Sequence, residues 1–327
     1  MKPVLAHKLL SVAPMMAWTD RHCRYLHRLY APDALVFTEM VTTGALLHGD
    51  QWHQLEYHVA EHPVALQLGG NNPVDLAKCT RRAVEVGYDE INLNVGCPSD
   101  RVQQGTFGAV LMRKPQLVAD CISAMQEASD VPVTVKCRLG VDDHDSDELL
   151  HAFIATVAQA GCRRFYIHAR KAILGGLSPA QNRSIPPLQY QRAEAIKRAM
   201  PHLEIILNGG ITTAEDALAH LGWADGVMIG RAAYHHPDLL AQLQQNMFTP
   251  QRSLNKGALL SEYRRYVEAQ LTQGVPLHSL TRHLLSSCHG MRGARRFRQT
   301  LSDASRLKRN DITLLDEAFD YVLELAA

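Results

Sequence analysis

The sequence predicts an α/β fold, a (β/α)8 TIM barrel with a C-terminal all-helical domain. Three observations predict it. Over about the first 240 residues, eight short runs rich in Val, Ile and Leu alternate with longer amphipathic stretches. The first run is followed by Pro14-Met15-Met16 instead of the Gly-x-Gly-x-x-Gly turn of a doubly wound open sheet. After Pro250 no β-branched runs remain, and apolar residues recur at helical spacing.

The strand-like runs are residues 9–13, 35–38, 64–68, 90–94, 133–137, 165–168, 205–208 and 226–229. Each is bounded by Gly, Pro or polar residues, as expected of strands buried on both faces. Helical stretches are expected at 73–86, 114–128, 147–159, 191–198 and 214–220. Eight such units fit a closed barrel of typically ~250 residues. Beyond them, 259–270, 278–285, 292–301 and 312–325 carry helical periodicity. The division is expected at Phe248-Thr249-Pro250, giving a barrel over 1–247 and a helical domain over 248–327.

Composition narrows the class. Of the 327 residues, 46% are apolar and 20% charged, which excludes a mainly disordered chain. No apolar run approaches the ~20 residues of a membrane helix, and the Met1-Lys2-Pro3 start predicts no signal peptide. Seven cysteines are scattered, odd in number and never spaced Cys-x-x-Cys, which argues for a reducing cytosol and against a disulfide framework or structural zinc. A net charge of +1 hides an asymmetry: residues 251–327 hold 12 Lys/Arg against 8 Asp/Glu, and within 282–309 eight basic residues face one acid, Asp303. A basic end can hold a polyanion, though charge alone more often marks a solvated helix face.

In such a barrel the active site lies at the carboxyl ends of the strands. Those ends are unusually polar: Pro14-Met15-Met16; Gln67 before Gly69-Gly70; Asn92 to Pro98; Lys136 and Arg138; His168 and Arg170; Asn208-Gly209-Gly210; and Gly230-Arg231. Polar groups on apolar strands are costly unless paired, so seven such ends indicate a polar ligand at the mouth. The glycine turns after strands 7 and 8, with Arg231, suit a phosphate. Lys136 alternates with apolar neighbours and faces inward, either as a Schiff-base nucleophile or as a partner for an electron-rich ring. Cys97, on a Gly- and Pro-flanked loop, can serve as general acid or nucleophile. His168 has no second ligand at zinc-like spacing, so no catalytic metal is expected. Strand alternation turns Cys137 away from Lys136.

These residues resemble the tRNA-dihydrouridine synthases. The resemblance spans the barrel nearly end to end: Ser11 to Met16 with Thr19-Asp20, residues 62–70, 88–112 and 131–140, His168 to Lys171, the Asn208 turn and 225–231. Asn94-Val95-Gly96-Cys97-Pro98 is its most specific segment. Thr38 to Gly44, Ser99-Asp100-Arg101-Val102-Gln103 and Gly176-Leu177-Ser178-Pro179 with Ile185-Pro186-Pro187-Leu188 resemble the A-type bacterial subgroup, which acts on D-loop uridines at about position 20. Cys137 stands where Thr is expected and Ala17 where an acid can occur.

The resemblance implies an FMN enzyme that uses NADPH to reduce uridine to 5,6-dihydrouridine. By matching motif, Pro14, Met15, Met16, Gln67, Lys136, His168, Asn208, Gly209, Gly210, Gly230 and Arg231 would bind FMN. Cys97 would donate the proton to C5 after hydride reaches C6, with Asn94 holding the base. The uridine would be flipped out of the tRNA, and Arg170, Lys171, Arg183, Arg292, Arg295, Arg296 and Arg298 would hold phosphates. Arg292, Arg295 and Arg296 are expected on one helical face. The expected partner is tRNA, with no membrane and no metal, and a cytoplasmic monomer. Three rivals remain: a flavin barrel dehydrogenase acting on a free pyrimidine such as dihydroorotate, a Schiff-base aldolase using Lys136, and a non-enzymatic tRNA-binding factor.

Overall fold

The computed structural model describes residues 8–99, 106–251 and 253–323. Eight parallel strands close on themselves in chain order: β1 (Leu9–Val12), β2 (Leu35–Thr42), β3 (Val64–Gly69), β4 (Glu90–Val95), β5 (Val133–Arg138), β6 (Arg164–His168), β7 (Glu204–Asn208) and β8 (Gly226–Ile229). β8 pairs back onto β1 through Leu9↔Gly226 to Val12↔Ile229. Helices follow most strands, among them α1 (Arg21–Tyr30), α2 (Thr43–Leu47), α3 (Pro73–Val86), α4 (Pro115–Glu127), α5 (Asp147–Gln159), α6 (Tyr190–Ala199), α7 (Ala214–His220), α8 (Arg231–His235) and α9 (Asp238–Met247). An all-helical region completes the fold, with α10 (Lys256–Thr272), α11 (Leu277–Thr281), α12 (Ala294–Leu301), α13 (Ala304–Lys308) and α14 (Thr313–Leu323). No helix among the described residues is long and apolar enough to cross a membrane.

Two differences from the sequence reading have local causes. β2 continues past Thr38 to Thr42, because its pairing with β3 slips between Phe37 and Met40 and then resumes. That bulge is braced by the Thr38 hydroxyl, which donates to the Glu39 carbonyl at 2.7 Å and accepts from the Gln67 N–H at 3.0 Å. In the helical region, Gly293 takes a left-handed φ of 86° and α12 starts only at Ala294. Arg292 therefore precedes the helix and does not share a helical face with Arg295 and Arg296, as the i, i+3, i+4 spacing had suggested. The expected 278–285 helix divides into α11 and a 3-10 turn at Leu284–Ser286.

Burial separates the apolar residues into two bodies. Alternate strand residues such as Ile91, Leu93, Val135 and Cys137 face the helices in one large core. A small separate cluster, Ala13, Leu35, Phe37, Ala65, Tyr166, Ile206 and Met228, fills part of the barrel lumen. The rest of the lumen is polar, lined by Gln67, Glu90, Asn92, Asn94 and Thr134, all buried.

The helical region is pinned to the barrel at Asp20. This carboxylate caps α1, accepting from His22 N and Cys23 N at 3.0 Å each. It also receives the guanidinium of Arg282 and lies 3.0 Å from His283 Nε2. Burial alone would raise its pKa, but the His283 hydrogen bond and charge, the Cys23 N–H and Arg282 outweigh that and hold the carboxyl well below the usual range. Asp20→Ala removes a helix cap and two charge-assisted contacts together. We expect it to cost about 2–4 kcal/mol, read as a lower urea midpoint at unchanged m-value.

Candidate active site

The strand ends converge on one mouth. The first loop is held from two sides: Thr19 Oγ1 accepts from Met15 N at 2.9 Å, and Glu39 Oε1 accepts from Ala17 N, with Ala17 at a left-handed φ of 64°. Pro14 and Met15 are half-buried, and Met16 is 61% exposed over the mouth. Between neighbouring strands, register aligns Asn94 with Lys136, Arg138 with His168, and His168 with Asn208. Lys136 Nζ donates to Asn208 Oδ1 at 3.0 Å, while Asn208 Nδ2 donates to the Met228 carbonyl at 2.7 Å. Gln67 is buried between Asn94 and Asn92, accepting from the first and donating to the second at 2.8 Å each.

The strand-7 turn needs its glycines. Gly209 and Gly210 have φ of 109° and 74°; a Cβ on Gly209 would meet His168 Cδ2 at 2.4 Å, and one on Gly210 would meet Leu188 Cδ1 at 2.4 Å. At Gly230 a Cβ would meet nothing within 4 Å, so the space beside the start of α8 is open. Arg231, exposed there, donates from Nη2 to the Arg183 carbonyl at 3.1 Å.

Cys97 is half-buried, whereas the other six cysteines are buried. Its position is set by Asn94, whose Oδ1 accepts from Gly96 N at 3.1 Å and Cys97 N at 3.0 Å. The Cys97 carbonyl accepts from Ala109 N at 2.9 Å, anchoring the far side of the loop. Of the Ser99 to Gln103 motif, positions 100–103 lie outside the described residues. Cys137 faces the outer core and is fully buried, as strand alternation implied.

Sequence reasoning assigned no contact to Arg138, yet it ties the mouth together. Buried, it donates from Nε to the Gly96 carbonyl at 2.8 Å and from Nη1 to the carbonyls of Lys171 at 3.1 Å and Asn182 at 3.0 Å. Asn182, fully buried, holds its loop through Ile173 N and O at 2.8 Å each. Arg170 donates from Nη1 to the carbonyls of Pro186 and, at 3.4 Å, Ser184. Lys171 pairs with Asp145 at 3.2 Å. Arg170 and Lys171 thus brace the strand-6 loop. Arg292, Arg295 and Arg298 are exposed and make no hydrogen bond or ion pair among the described residues, and Arg296 lies over the Tyr321 ring at 5.5 Å.

Cations gather around His168 at the mouth. Burial, reinforced by Arg138, lowers the Lys136 ammonium to about 8, and burial lowers the Arg138 guanidinium to about 10. Burial and the neighbouring cation Arg231 lower Arg170 and Arg183 as well. His168 is pushed well below its ordinary range by burial and then by Arg138, Lys136, Arg170 and Arg183, all cations. Its ring, 9% exposed, has no hydrogen-bond partner among the described residues. A neutral imidazole with an unused N–H, facing cations and packed against the Gly209 turn, fits an anionic ligand with polar edges. Among the described residues, no group of three or more His, Cys, Asp or Glu could hold a metal ion.

A closed parallel barrel with cations, a partnerless imidazole and one half-buried thiol gathered at the carboxyl ends of its strands has the layout of a barrel enzyme. A family described as dihydrouridine synthase (Dus) matches residues 11–323. The chain is 54% identical over 311 residues to the tRNA-dihydrouridine(20/20a) synthase of Vibrio parahaemolyticus, covering 94% of this chain and 95% of that one. It is 52% identical over 311 residues to the enzyme of the same description in Pseudomonas putida, covering 95% and 93%, and 51% identical over 316 residues to that of Shewanella oneidensis, covering 96% and 94%. The chain belongs to the dihydrouridine synthase family. It is therefore an oxidoreductase, and the aldolase and non-enzymatic readings fall away.

The depressed Lys136 titration makes a signed prediction for the ligand-free protein. Folding disfavours the charged amine, so stability rises as pH climbs from about 8 toward the unfolded value of 10.5. Lys136→Met removes that penalty. We expect its urea midpoint to exceed that of the parent near neutrality, and the gap to close by about pH 10.5.

Proposed function

We propose that this chain reduces uridines 20 and 20a in the D-loop of tRNA to 5,6-dihydrouridine, with bound FMN and with NADPH as reductant. The target positions follow the names of the relatives that align along almost its whole length. The observation that carries the cofactor reading is His168, without a hydrogen-bond partner among the described residues, facing cations and packed against the Gly209 turn. Gly209, Gly210, Gly230 and Arg231 would hold the phosphate, and His168 would donate its unused N–H nearby. Pro14, Met15, Met16, Gln67 and Asn208 would line the ring, with Lys136 meeting its electron-rich edge. FMN held by these residues would supply hydride-transfer chemistry toward C6 of uracil.

The chain's own residues supply the rest. Cys97 donates a proton to C5 from the thiol, and Asn94, which fixes the Cys97 N–H, lies beside the base. Lys136 favours negative charge as it develops. Arg183 extends the cationic mouth, while Arg292, Arg295, Arg296 and Arg298 offer an exposed surface for phosphates. Arg170 and Lys171 act on the RNA through the loop they brace. In this reading residues 1–247 form the catalytic barrel and 248–327 the RNA-binding unit. A free pyrimidine would need no such basic surface.

Cys97→Ala is expected to keep its flavin and its NADPH oxidation while dihydrouridine formation, followed by mass spectrometry of digested tRNA, falls at least ~100-fold. Unchanged product formation refutes the proton-donor role. Reversing Arg292 and Arg295 to Glu should weaken tRNA binding at least ~10-fold and flatten the log–log salt dependence by about 1.5–2. Unchanged affinity and slope would make that surface a solvated face.

A further inference from the structure

The catalytic reading leaves one buried carboxylate unused. Glu90, 2% exposed, begins β4 at the base of the barrel, roughly 13 Å along the strand from Asn94. Its Oε2 accepts from Arg164 Nη1 at 2.6 Å and the Tyr166 hydroxyl at 3.1 Å. Its Oε1 accepts from the Thr134 hydroxyl at 2.7 Å. From there an unbroken column of hydrogen bonds climbs the polar side of the lumen. Thr134 Oγ1 accepts from Asn92 Nδ2, Asn92 Oδ1 from Gln67 Nε2, and Gln67 Oε1 from Asn94 Nδ2, each at 2.8 Å. At the top, Asn94 Oδ1 accepts from the backbone N–H groups of Gly96 and Cys97.

The two ends of this column are fixed in kind. A carboxylate offers only acceptors, and a backbone N–H only donates. A side-chain amide has one accepting and one donating arm and fits either way round unless its neighbours decide. Here every arm between the ends is decided: donors point down toward Glu90 and acceptors up toward Cys97. Turning one amide over would set carbonyl against carbonyl and N–H against N–H in a buried site, where unpaired polar groups are costly. Side-chain amides do not pass protons along, so the column transmits orientation and not charge.

We propose that Thr134, anchored on Glu90, is a positioning residue: it closes the lower end of the Asn92–Gln67–Asn94 column, whose direction both ends fix together, and so holds the Cys97 loop in place. The consequence for the reaction rests on the reading of Cys97 as proton donor, whereas the consequence for the loop does not. Gln67 sits mid-column, its Oε1 accepting from Asn94 and its Nε2 donating to Asn92, so the same device fixes which way its amide faces.

The test uses Thr134→Val, which keeps the shape and deletes the hydroxyl, and Thr134→Ser, which keeps the hydroxyl. Thr134→Ala replaces the valine variant if that one does not accumulate in folded form. Two quantities are measured on the flavin-loaded full chain: the rate at which iodoacetamide alkylates Cys97, and kcat and KM with tRNA. Cys97 is the one cysteine not buried, so alkylation reports on its loop. The valine variant should alkylate about tenfold faster and lose about tenfold in kcat with KM for tRNA unchanged, while the serine variant matches the parent. A general packing defect would lower stability in both variants without this split. An unchanged alkylation rate in the valine variant overturns the proposal, as does a serine variant that behaves like valine. Faster alkylation with unchanged kcat upholds the positioning role and overturns instead the reading of Cys97 as proton donor.

Discussion

An uncompensated cluster of positive charge sits at the mouth of a closed barrel. Lys136, Arg138, Arg170 and Arg183 all bear on a buried imidazole, His168, that has no hydrogen-bond partner among the described residues. Burying charge of one sign is costly unless a partner repays it. The polypeptide repays part through carbonyls, which Arg138 collects from Gly96, Lys171 and Asn182. The remainder is a standing demand for an anion. Glycine turns, open space at Gly230 and the exposed Arg231 lie at the same strand ends, and the proposed flavin phosphate would meet that demand there.

The barrel makes this possible by dividing its lumen. One side is filled with the apolar cluster around Phe37, Tyr166 and Met228, which supplies rigid packing. The other side carries Glu90, Thr134, Asn92, Gln67 and Asn94, every one hydrogen-bonded. A continuous buried hydrogen-bond network fixes geometry in a way an apolar core does not. Stability thus resides at the base and in the outer core, while chemistry is collected at the carboxyl ends, as a barrel of parallel strands allows.

Much of this was legible in the sequence, because closed parallel sheets bury strands on both faces and write them as short apolar runs. The eight runs fall on the eight strands, and the polar strand ends fall at one mouth. What periodicity could not carry was partnership. Glu90, Asn92 and Asn94 share the inward face of one strand by simple alternation, yet their link to Gln67 and Thr134 exists only once the neighbouring strands are in register. Arg138 read as one more strand-end cation, and its role depends on carbonyls of two distant loops. The helical face drawn through Arg292 failed because Gly293 adopts a left-handed conformation that spacing alone does not reveal. The target positions in the RNA came from resemblance, through segments such as Thr38 to Gly44 and Gly176 to Pro179 and then through the names of relatives, since the chemistry of those residues does not by itself select a uridine.

The central claim is that the cationic mouth exists to hold a flavin phosphate. The visible absorption spectrum of the purified protein, with the released cofactor identified by mass, tests it most directly. The account predicts a yellow protein releasing FMN, one per chain. A colourless protein that also fails to take up added FMN would contradict it, and the cations around His168 would then require another anion.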